Sequence, residues 1–191
     1  MRFAAMLAGF VLVAPLPAHA TGEIESLITQ ADRDRLARFD TVKQGALADA
    51  RKDGSPDAVE RIDEIMARQT LSFADFDLTG NWRCRTIKLG GPSSLVVYDW
   101  FRCRVTDDGS GWKLEKLSGS QRTTGRFFTE SDTALTYLGA FYVAGDDAPA
   151  YGATDDSDQV GRTFRDGETS WRIEFPLPRY ESKFDILELR R

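Results

Sequence analysis

The residues with the clearest chemical potential are the two cysteines, Cys84 and Cys103, in the middle of the chain. Each lies in a segment whose residues alternate in the way that β-strands require. The two are equally distant from Ser93-Ser94, in a turn rich in glycine, proline and serine. This symmetry predicts a hairpin in which Cys84 lies directly opposite Cys103 and forms a disulfide, contributing about 3 kcal/mol by the chain-entropy estimate. Two buried free thiols are the alternative.

The same register would bring four arginines together on the other face of the hairpin. They are Arg83, Arg85, Arg102 and Arg104. Arg83 would lie opposite Arg104, and Arg85 opposite Arg102, and like charges in such positions are destabilising. One interpretation is a site for an anion or a carboxylate-bearing partner. We favour a structural interpretation, in which carboxylates such as Asp185 or Glu188 of the last strand neutralise the patch.

Residues 1–20 have the pattern of a secretory signal peptide. Arg2 supplies the positive charge, and the apolar run over residues 3–13 is shorter than the ~20 residues of a membrane span. Ala18-His19-Ala20 is typical of a cleavage site. We therefore expect a periplasmic or secreted protein, with a retained N-terminal anchor as the alternative.

Cleavage after Ala20 would also remove His19, the only histidine of the chain. The mature protein would then lack a Ser-His-Asp triad, a Cys-His pair and any histidine-ligated metal. A pattern that begins at Asp156 resembles a calcium loop but has Val160 and Gly167 where ligands are needed. We predict no catalytic site, no metal site and no cofactor.

Composition and charge bound the remaining possibilities. The chain has 191 residues, of which 41% are hydrophobic and 29% are charged, as in ordinary globular proteins. This length favours one compact domain with at most a small appendage. The net charge of −5 argues against a nucleic-acid partner. After the signal peptide, no segment is apolar enough to be a transmembrane span.

Helical periodicity dominates the first part of the mature chain. Apolar residues recur at helical spacing from Thr29, a favourable N-cap, to Gly54, a favourable helix end. Ser55-Pro56 then begins a second helix. Two such helices form a hairpin that must pack on another element, because isolated short helices are unstable. We assign residues 21–77 to this helical hairpin and a linker.

From Leu78 onward a period of two indicates β-strands. Eight strands are predicted: Asn81–Leu89, Leu95–Val105, Gly111–Ser118, Gln121–Phe128, Thr133–Val143, Gln159–Arg165, Ser170–Leu177 and Lys183–Arg190. Asp166-Gly167 is typical of a two-residue hairpin turn. Eight sequential antiparallel strands can close an up-and-down barrel, although a two-sheet sandwich uses the same number. The prediction is an α+β, mainly β fold, with the helical hairpin packed on an eight-stranded antiparallel barrel of residues 78–191.

Two resemblances follow from the motifs. Gly80-Asn81-Trp82 resembles the G-x-W motif of the lipocalin and calycin barrels, which implies that Trp82 closes the barrel base. That family's helix follows the barrel, whereas here helices precede it. A wider similarity covers nearly all of the mature chain and is to a family of exported proteobacterial proteins catalogued as a domain of unknown function. The segments that carry it are Trp82–Arg85, Trp100–Cys103, Lys116–Arg122, Tyr137–Ala140 and Glu181–Asp185.

The wider resemblance implies an envelope compartment and no particular activity. Small barrels hold one small ligand or a filled core. We therefore predict a non-catalytic binding protein of the bacterial periplasm, whose partner is a small molecule or an envelope protein. The alternative is a protein-binding module, such as a protease inhibitor or an envelope assembly factor. An enzyme ranks third, because the commonest catalytic base would be absent.

Overall fold

The computed structural model describes residues 21–191, so the predicted signal peptide and its alternative as an anchor lie outside the described residues. Within the described part, the helices are α1 (Thr21–Leu27), α2 (Gln30–Ala37), α3 (Phe39–Asp53) and α4 (Pro56–Met66). The strands are β1 (Gly80–Leu89), β2 (Leu95–Val97), β3 (Phe101–Asp107), β4 (Trp112–Lys116), β5 (Gln121–Ser131), β6 (Ala134–Val143), β7 (Asp158–Arg165), β8 (Ser170–Pro176) and β9 (Phe184–Arg190).

Eight of these strands close an antiparallel barrel. From β3 to β9 each strand pairs with the next along the chain, and β9 pairs with β1, which also pairs with β3. The barrel, rather than the sandwich, is therefore the architecture of this chain. β2 is an additional short strand that pairs with residues Ile87–Leu89 of β1.

The predicted second strand is divided into β2 and β3. β9 pairs with β1 from Arg83 to Leu89, so β2 and β3 must share the other edge of β1. The segment between them, Tyr98 to Trp100, belongs to neither strand. The periodicity of the sequence does not reveal this interruption, because strand residues continue on both sides of it.

The register of the central hairpin differs from the prediction by two residues. Cys84 lies opposite Phe101, and Cys103 lies opposite Trp82, so the cysteines are diagonal neighbours. The prediction was wrong because it placed the two disulfide partners directly opposite each other. β7 ends at Arg165 and β8 begins at Ser170, as predicted, so the connection that contains Asp166-Gly167 is longer than a two-residue hairpin turn.

Alternation along the strands divides the barrel into an apolar interior and a partly covered exterior. The inward side chains near the start of β1 form a closed cluster around Trp82, Tyr137 and Trp171, each at most 3% exposed. The rings of Trp82 and Trp171 meet edge to face at 5.5 Å. This half of the barrel is filled with side chains.

The helices cover part of the outer surface. Thr29 caps α2, as predicted, by accepting a hydrogen bond from the Asp32 backbone nitrogen at 3.3 Å. The predicted first helix is divided at Arg38, and α1 precedes it. Leu47 of α3 and Ile62 and Ile65 of α4 are buried in a cluster with outward residues of β1 and β9, including Ile87. Within residues 21–191 no helix is long and apolar enough to cross a membrane.

Candidate binding site at the barrel mouth

The end of the barrel opposite Trp82 carries polar side chains that point into its interior. Successive side chains of a strand face opposite ways. Lys88 therefore faces inward with the buried Cys84 of β1, and Lys116 faces inward with the buried Leu114 of β4. By the same alternation Asp185 shares the inward face of β9. With one residue of the β8–β9 loop, the mouth cluster comprises Lys88, Lys116, Gln121, Glu181 and Asp185.

Lys116 is the most unusual member of the mouth cluster. It is 6% exposed, and its Nζ lies 4.4 Å from the centre of the Phe101 ring and 3.5 Å from Thr86 Oγ1. Among residues 21–191, no carboxylate oxygen lies within 4.0 Å of this ammonium group. Burial lowers the pKa of Lys116 to about 8, and the nearby charge of Lys88 acts in the same direction. The charge of Asp185 opposes this decrease from beyond ion-pair distance, so Lys116 is mainly a cation at neutral pH and has no carboxylate in direct contact.

Lys88 is held by partners at the rim. Its Nζ donates to Glu181 Oε2 at 2.5 Å and to Gln121 Oε1 at 3.0 Å. Gln121 Nε2 also donates to the same Glu181 oxygen, at 3.3 Å. The hydrogen bond from Lys88, followed by that from Gln121, holds the pKa of Glu181 below its usual value. Because the Glu181 side chain is 54% exposed, this carboxylate enters the mouth from the surface.

Asp185 is the carboxyl group deeper in the mouth. Ser182 Oγ donates to Asp185 Oδ1 at 2.5 Å. Burial raises the pKa of Asp185 to about 6, although this hydrogen bond and the charge of Lys88 oppose the increase. The carboxyl group is therefore partly protonated just below neutral pH. The positive charges of Lys88 and Lys116 are then only partly offset by Asp185.

A cavity of about 160 Å³ opens between Lys88, Lys116 and Tyr98. A recess of about 50 Å³ shares the two lysines and extends toward Asp185 and Gln159. Pockets for drug-sized ligands measure about 300–1,000 Å³, and a water molecule occupies about 30 Å³ of liquid. The mouth therefore suits a small polar ligand. Within residues 21–191 no three His, Cys, Asp or Glu side chains are grouped as a metal ion would require.

The predicted cysteine pair lies at the centre of the apolar interior. The Sγ atoms of Cys84 and Cys103 are bonded at 2.03 Å, and both residues are at most 1% exposed. Trp82 lies nearby at the base, where its Nε1 donates to the Leu78 carbonyl at 2.8 Å. The guanidinium group of Arg191 packs 4.0 Å from the centre of a Trp82 ring. These contacts position Trp82 at the end of the barrel opposite the mouth.

The four predicted arginines share the outer face of β1 and β3, as predicted, but their partners differ from the predicted ones. Arg85 Nε donates to Glu188 Oε2 at 2.6 Å in a nearly buried ion pair. Arg104 is exposed and lies 3.4 Å from Glu115. Arg83 lies directly opposite Arg102, not opposite Arg104. Arg85 is therefore neutralised by a buried carboxylate, whereas Arg83 and Arg102 form an exposed pair of like charges.

Sequence reasoning missed the mouth cluster, although alternation could have found it. Lys88 lies six residues after Trp82, and Lys116 lies two residues after Leu114, so both occupy inward positions of their strands. A charged residue at an inward position of a predicted barrel strand is the signal. A binding site also requires that several strands bring such residues to the same end of the barrel. This depends on the register between strands, which the sequence of a single strand does not reveal.

Comparisons with known proteins agree with the wider similarity found in the sequence. A family model described as Domain of unknown function (DUF4893) matches residues 25–189. Comparison with the curated proteins and with the solved structures gives no match. The expected membership of a family defined by a domain of unknown function is confirmed, whereas its proteobacterial origin and the likeness to lipocalins stay predictions. Since the match covers most of its length, this chain belongs to the family of the domain of unknown function DUF4893.

Proposed function

We propose that this protein is an exported, non-catalytic binding protein whose barrel mouth takes a small anion. The observation that carries the proposal is Lys116, a nearly buried ammonium group that faces a cavity and has no carboxylate within 4.0 Å among the described residues. A buried charge without a partner is costly, and an anionic ligand would compensate it. Export is supported by the signal-peptide pattern and by the paired cysteines, which are typical of oxidising compartments.

The chemistry of the mouth favours an anion over an apolar ligand. The apolar interior of the barrel is filled by side chains such as Trp82, Tyr137 and Trp171, each at most 3% exposed. The remaining cavity is lined by two lysines, and Gln121 and Tyr98 supply further polar groups. Glu181 already neutralises part of the charge of Lys88. A ligand with one or two negative charges would match what remains.

Thermal unfolding in the presence of small anions tests this proposal. We expect at least one of sulfate, phosphate, acetate or succinate to raise the unfolding temperature of the mature protein above that in chloride of equal ionic strength. Lys116→Met should abolish this increase. It should not lower the stability of the ligand-free protein, because the change removes a desolvated charge. Native mass spectrometry of protein from its own periplasm would then identify a bound ligand by mass.

Lys113→Met is the matched control. Lys113 lies on the same strand, β4, but its side chain is 39% exposed and faces outward beside Glu115. This variant has the same change in net charge and should keep the response to anions. The proposal is wrong if no anion stabilises the wild type, or if the two variants respond equally.

A further inference from the structure

Three arginines form a straight row across the outer surface of three adjacent strands. Arg83 on β1 is directly opposite Arg102 on β3 along one edge and directly opposite Arg190 on β9 along the other. Neighbouring strands lie about 4.8 Å apart, so the row extends over about 10 Å. We call Arg102, Arg83 and Arg190 the arginine row. Like charges in directly opposite positions are destabilising, so folding alone does not account for this arrangement.

The surrounding residues neutralise the arginine row only at Arg190. Within residues 21–191, no carboxylate oxygen lies within 4.0 Å of the Arg83 or Arg102 guanidinium group. Arg190 Nε donates to Glu188 Oε1 at 2.8 Å, but Glu188 is shared with Arg85 and Arg68. The protein carries a net charge of −5, so this is a positive surface on an acidic molecule.

An aromatic ring holds one of the free guanidinium groups in place. Arg83 Cζ lies 5.0 Å from the centre of a Trp100 ring, and Arg85 Cζ lies 4.6 Å from it. Such cation–π contacts restrict the arginine without using its hydrogen-bond donors. The Arg83 donors are thus oriented before any ligand arrives, which reduces the entropy lost on binding.

The arginine row borders a shallow groove with a partly apolar floor. The groove has a volume of about 630 Å³, and Trp82 and Leu117 contribute to its lining together with Arg83, Arg102 and Arg190. Arginine forks bind carboxylates through two parallel hydrogen bonds, and arginine is enriched in protein interfaces. Apolar contacts beside such forks are typical of the energetically important part of an interface.

We propose that the arginine row and this groove bind an acidic segment of a protein partner. Two carboxylates of the segment would bind Arg102 and Arg83, and an apolar side chain between them would contact Leu117. A protein segment is favoured over an anionic membrane because the row is only three strands wide and the net charge of the molecule is negative. A negatively charged lipid surface would repel the rest of this molecule.

Binding of a short synthetic peptide in which leucine separates successive glutamates tests the proposal, with glutamine replacing glutamate in the control peptide. We expect the mature protein to bind the glutamate peptide at low ionic strength, and added salt to weaken binding. Arg102→Gln should weaken binding about tenfold, because a charge-assisted hydrogen bond contributes about that factor. The unfolding temperature of Arg102→Gln should not fall, because the substitution relieves the repulsion with Arg83.

Arg104→Gln is the control with the same change in charge. Arg104 is two residues further along β3, faces the same way and is 3.4 Å from Glu115. It should change peptide affinity by less than about twofold, as expected for a weak exposed pair. The proposal is overturned if the glutamate peptide does not bind, or if the two variants lose affinity equally. It is also overturned if Arg102→Gln abolishes binding to phosphatidylglycerol vesicles or self-association in sedimentation while peptide binding is unchanged.

Discussion

Arg85 on β1 and Glu188 on β9 are directly opposite each other where the barrel closes, and the Arg85 Nε donates to Glu188 Oε2 at 2.6 Å. Glu188 is fully buried, and Arg68 also donates to it, at 2.9 Å. Burial would raise the pKa of Glu188, but the hydrogen bond from Arg68 and the charge of Arg85 lower it overall. The first and last strands of the barrel are thus joined by an ion pair whose carboxylate is buried.

Arg85→Met should lower the free energy of unfolding by about 1–3 kcal/mol, because it removes one partner of a buried carboxylate that keeps others. Urea unfolding measures this change, and Arg104→Met, at an exposed pair, should cost less than about 0.5 kcal/mol. The folded pKa of Glu188 is depressed, so its contribution is present above the unfolded pKa and is lost as the pH falls through the folded value. The effect of Arg85→Met should therefore shrink in acid. An effect as small as that of Arg104→Met would contradict this role.

Reduction of the Cys84–Cys103 bond should require unfolding, because both residues are at most 1% exposed. Intact-mass analysis of protein purified from its own host without reductant should show two hydrogens missing, and a thiol reagent should label neither cysteine. Labelling should appear when reductant and urea are added together. Replacing both cysteines by serine should destabilise the protein by about 3 kcal/mol on the chain-entropy estimate. Complete labelling without reductant would show that the thiols are free.

The strands could be predicted because alternation is a local property of each strand. On β8, for example, Trp171, Ile173 and Phe175 all lie in the apolar interior, as their spacing of two indicates. The pairing of strands is not local. The diagonal position of Cys84 and Cys103 and the interruption between β2 and β3 depend on how β1 fits two partners along one edge. The contacts of the four arginines depend on the register of β1 with β3 and β9, so they could not be predicted without it.

In the helical segment, too, local contacts could be predicted from the sequence and long-range contacts could not. Capping at Thr29 is a contact within one turn, and the sequence reveals it. The break at Arg38 has no comparable signal. It accompanies long-range contacts of α2, in which Arg35 Nη1 donates to the Asp158 carbonyl at 2.9 Å and Tyr151 Oη donates to Asp32 Oδ2 at 2.7 Å. Contacts with residues more than a hundred positions away determine the orientation of this helix.

Gly139→Ala should destabilise the protein by about 1–3 kcal/mol through overpacking. Gly139 lies directly opposite Gly125, and a Cβ at Gly139 would overlap the Tyr137 hydroxyl group. Displacing this ring would break its 2.7 Å hydrogen bond with Thr123. Gly45→Ala in α3 is the control, since a Cβ there meets nothing within 4 Å and alanine favours a helix by about 1 kcal/mol. Thermal unfolding should separate the two variants in opposite directions, and equal behaviour would refute the packing argument.

Asp185→Asn should stabilise the protein near neutral pH but not in acid. Burial raises the folded pKa of Asp185 from 3.8 to about 6, so the folded protein binds more protons than the unfolded chain between these values. The contribution of Asp185 to stability therefore falls as the pH rises from about 4 to about 6. Asparagine does not ionise, so its contribution to stability does not change over this pH range. Urea unfolding at several pH values should show equal free energies of unfolding for the two proteins near pH 4, and a gain for the variant of up to about 3 kcal/mol above pH 6. A difference that does not depend on pH would contradict the assignment.

Glu181→Gln should strengthen the binding of small anions at the mouth. The Glu181 carboxylate lies 2.5 Å from Lys88 Nζ, so it occupies a position that an external anion would compete for. Glu181 has a φ of 67° in the loop between β8 and β9, a conformation that is uncommon for residues other than glycine. Glutamine keeps the size of the side chain and removes its charge. Because a partly exposed ion pair contributes at most about 1 kcal/mol, affinity should increase by up to about fivefold, with little change in stability.

Titration calorimetry with the anion whose effect depends on Lys116 measures this increase. Glu168→Gln is the control, because Glu168 is exposed in the β7–β8 turn at the opposite end of the barrel. Both variants gain one unit of positive charge, so a general electrostatic effect would strengthen binding equally in the two. A gain confined to Glu181→Gln would show that this carboxylate competes for the mouth. Unchanged affinity in Glu181→Gln would mean that the anion does not reach Lys88 and binds through Lys116 alone.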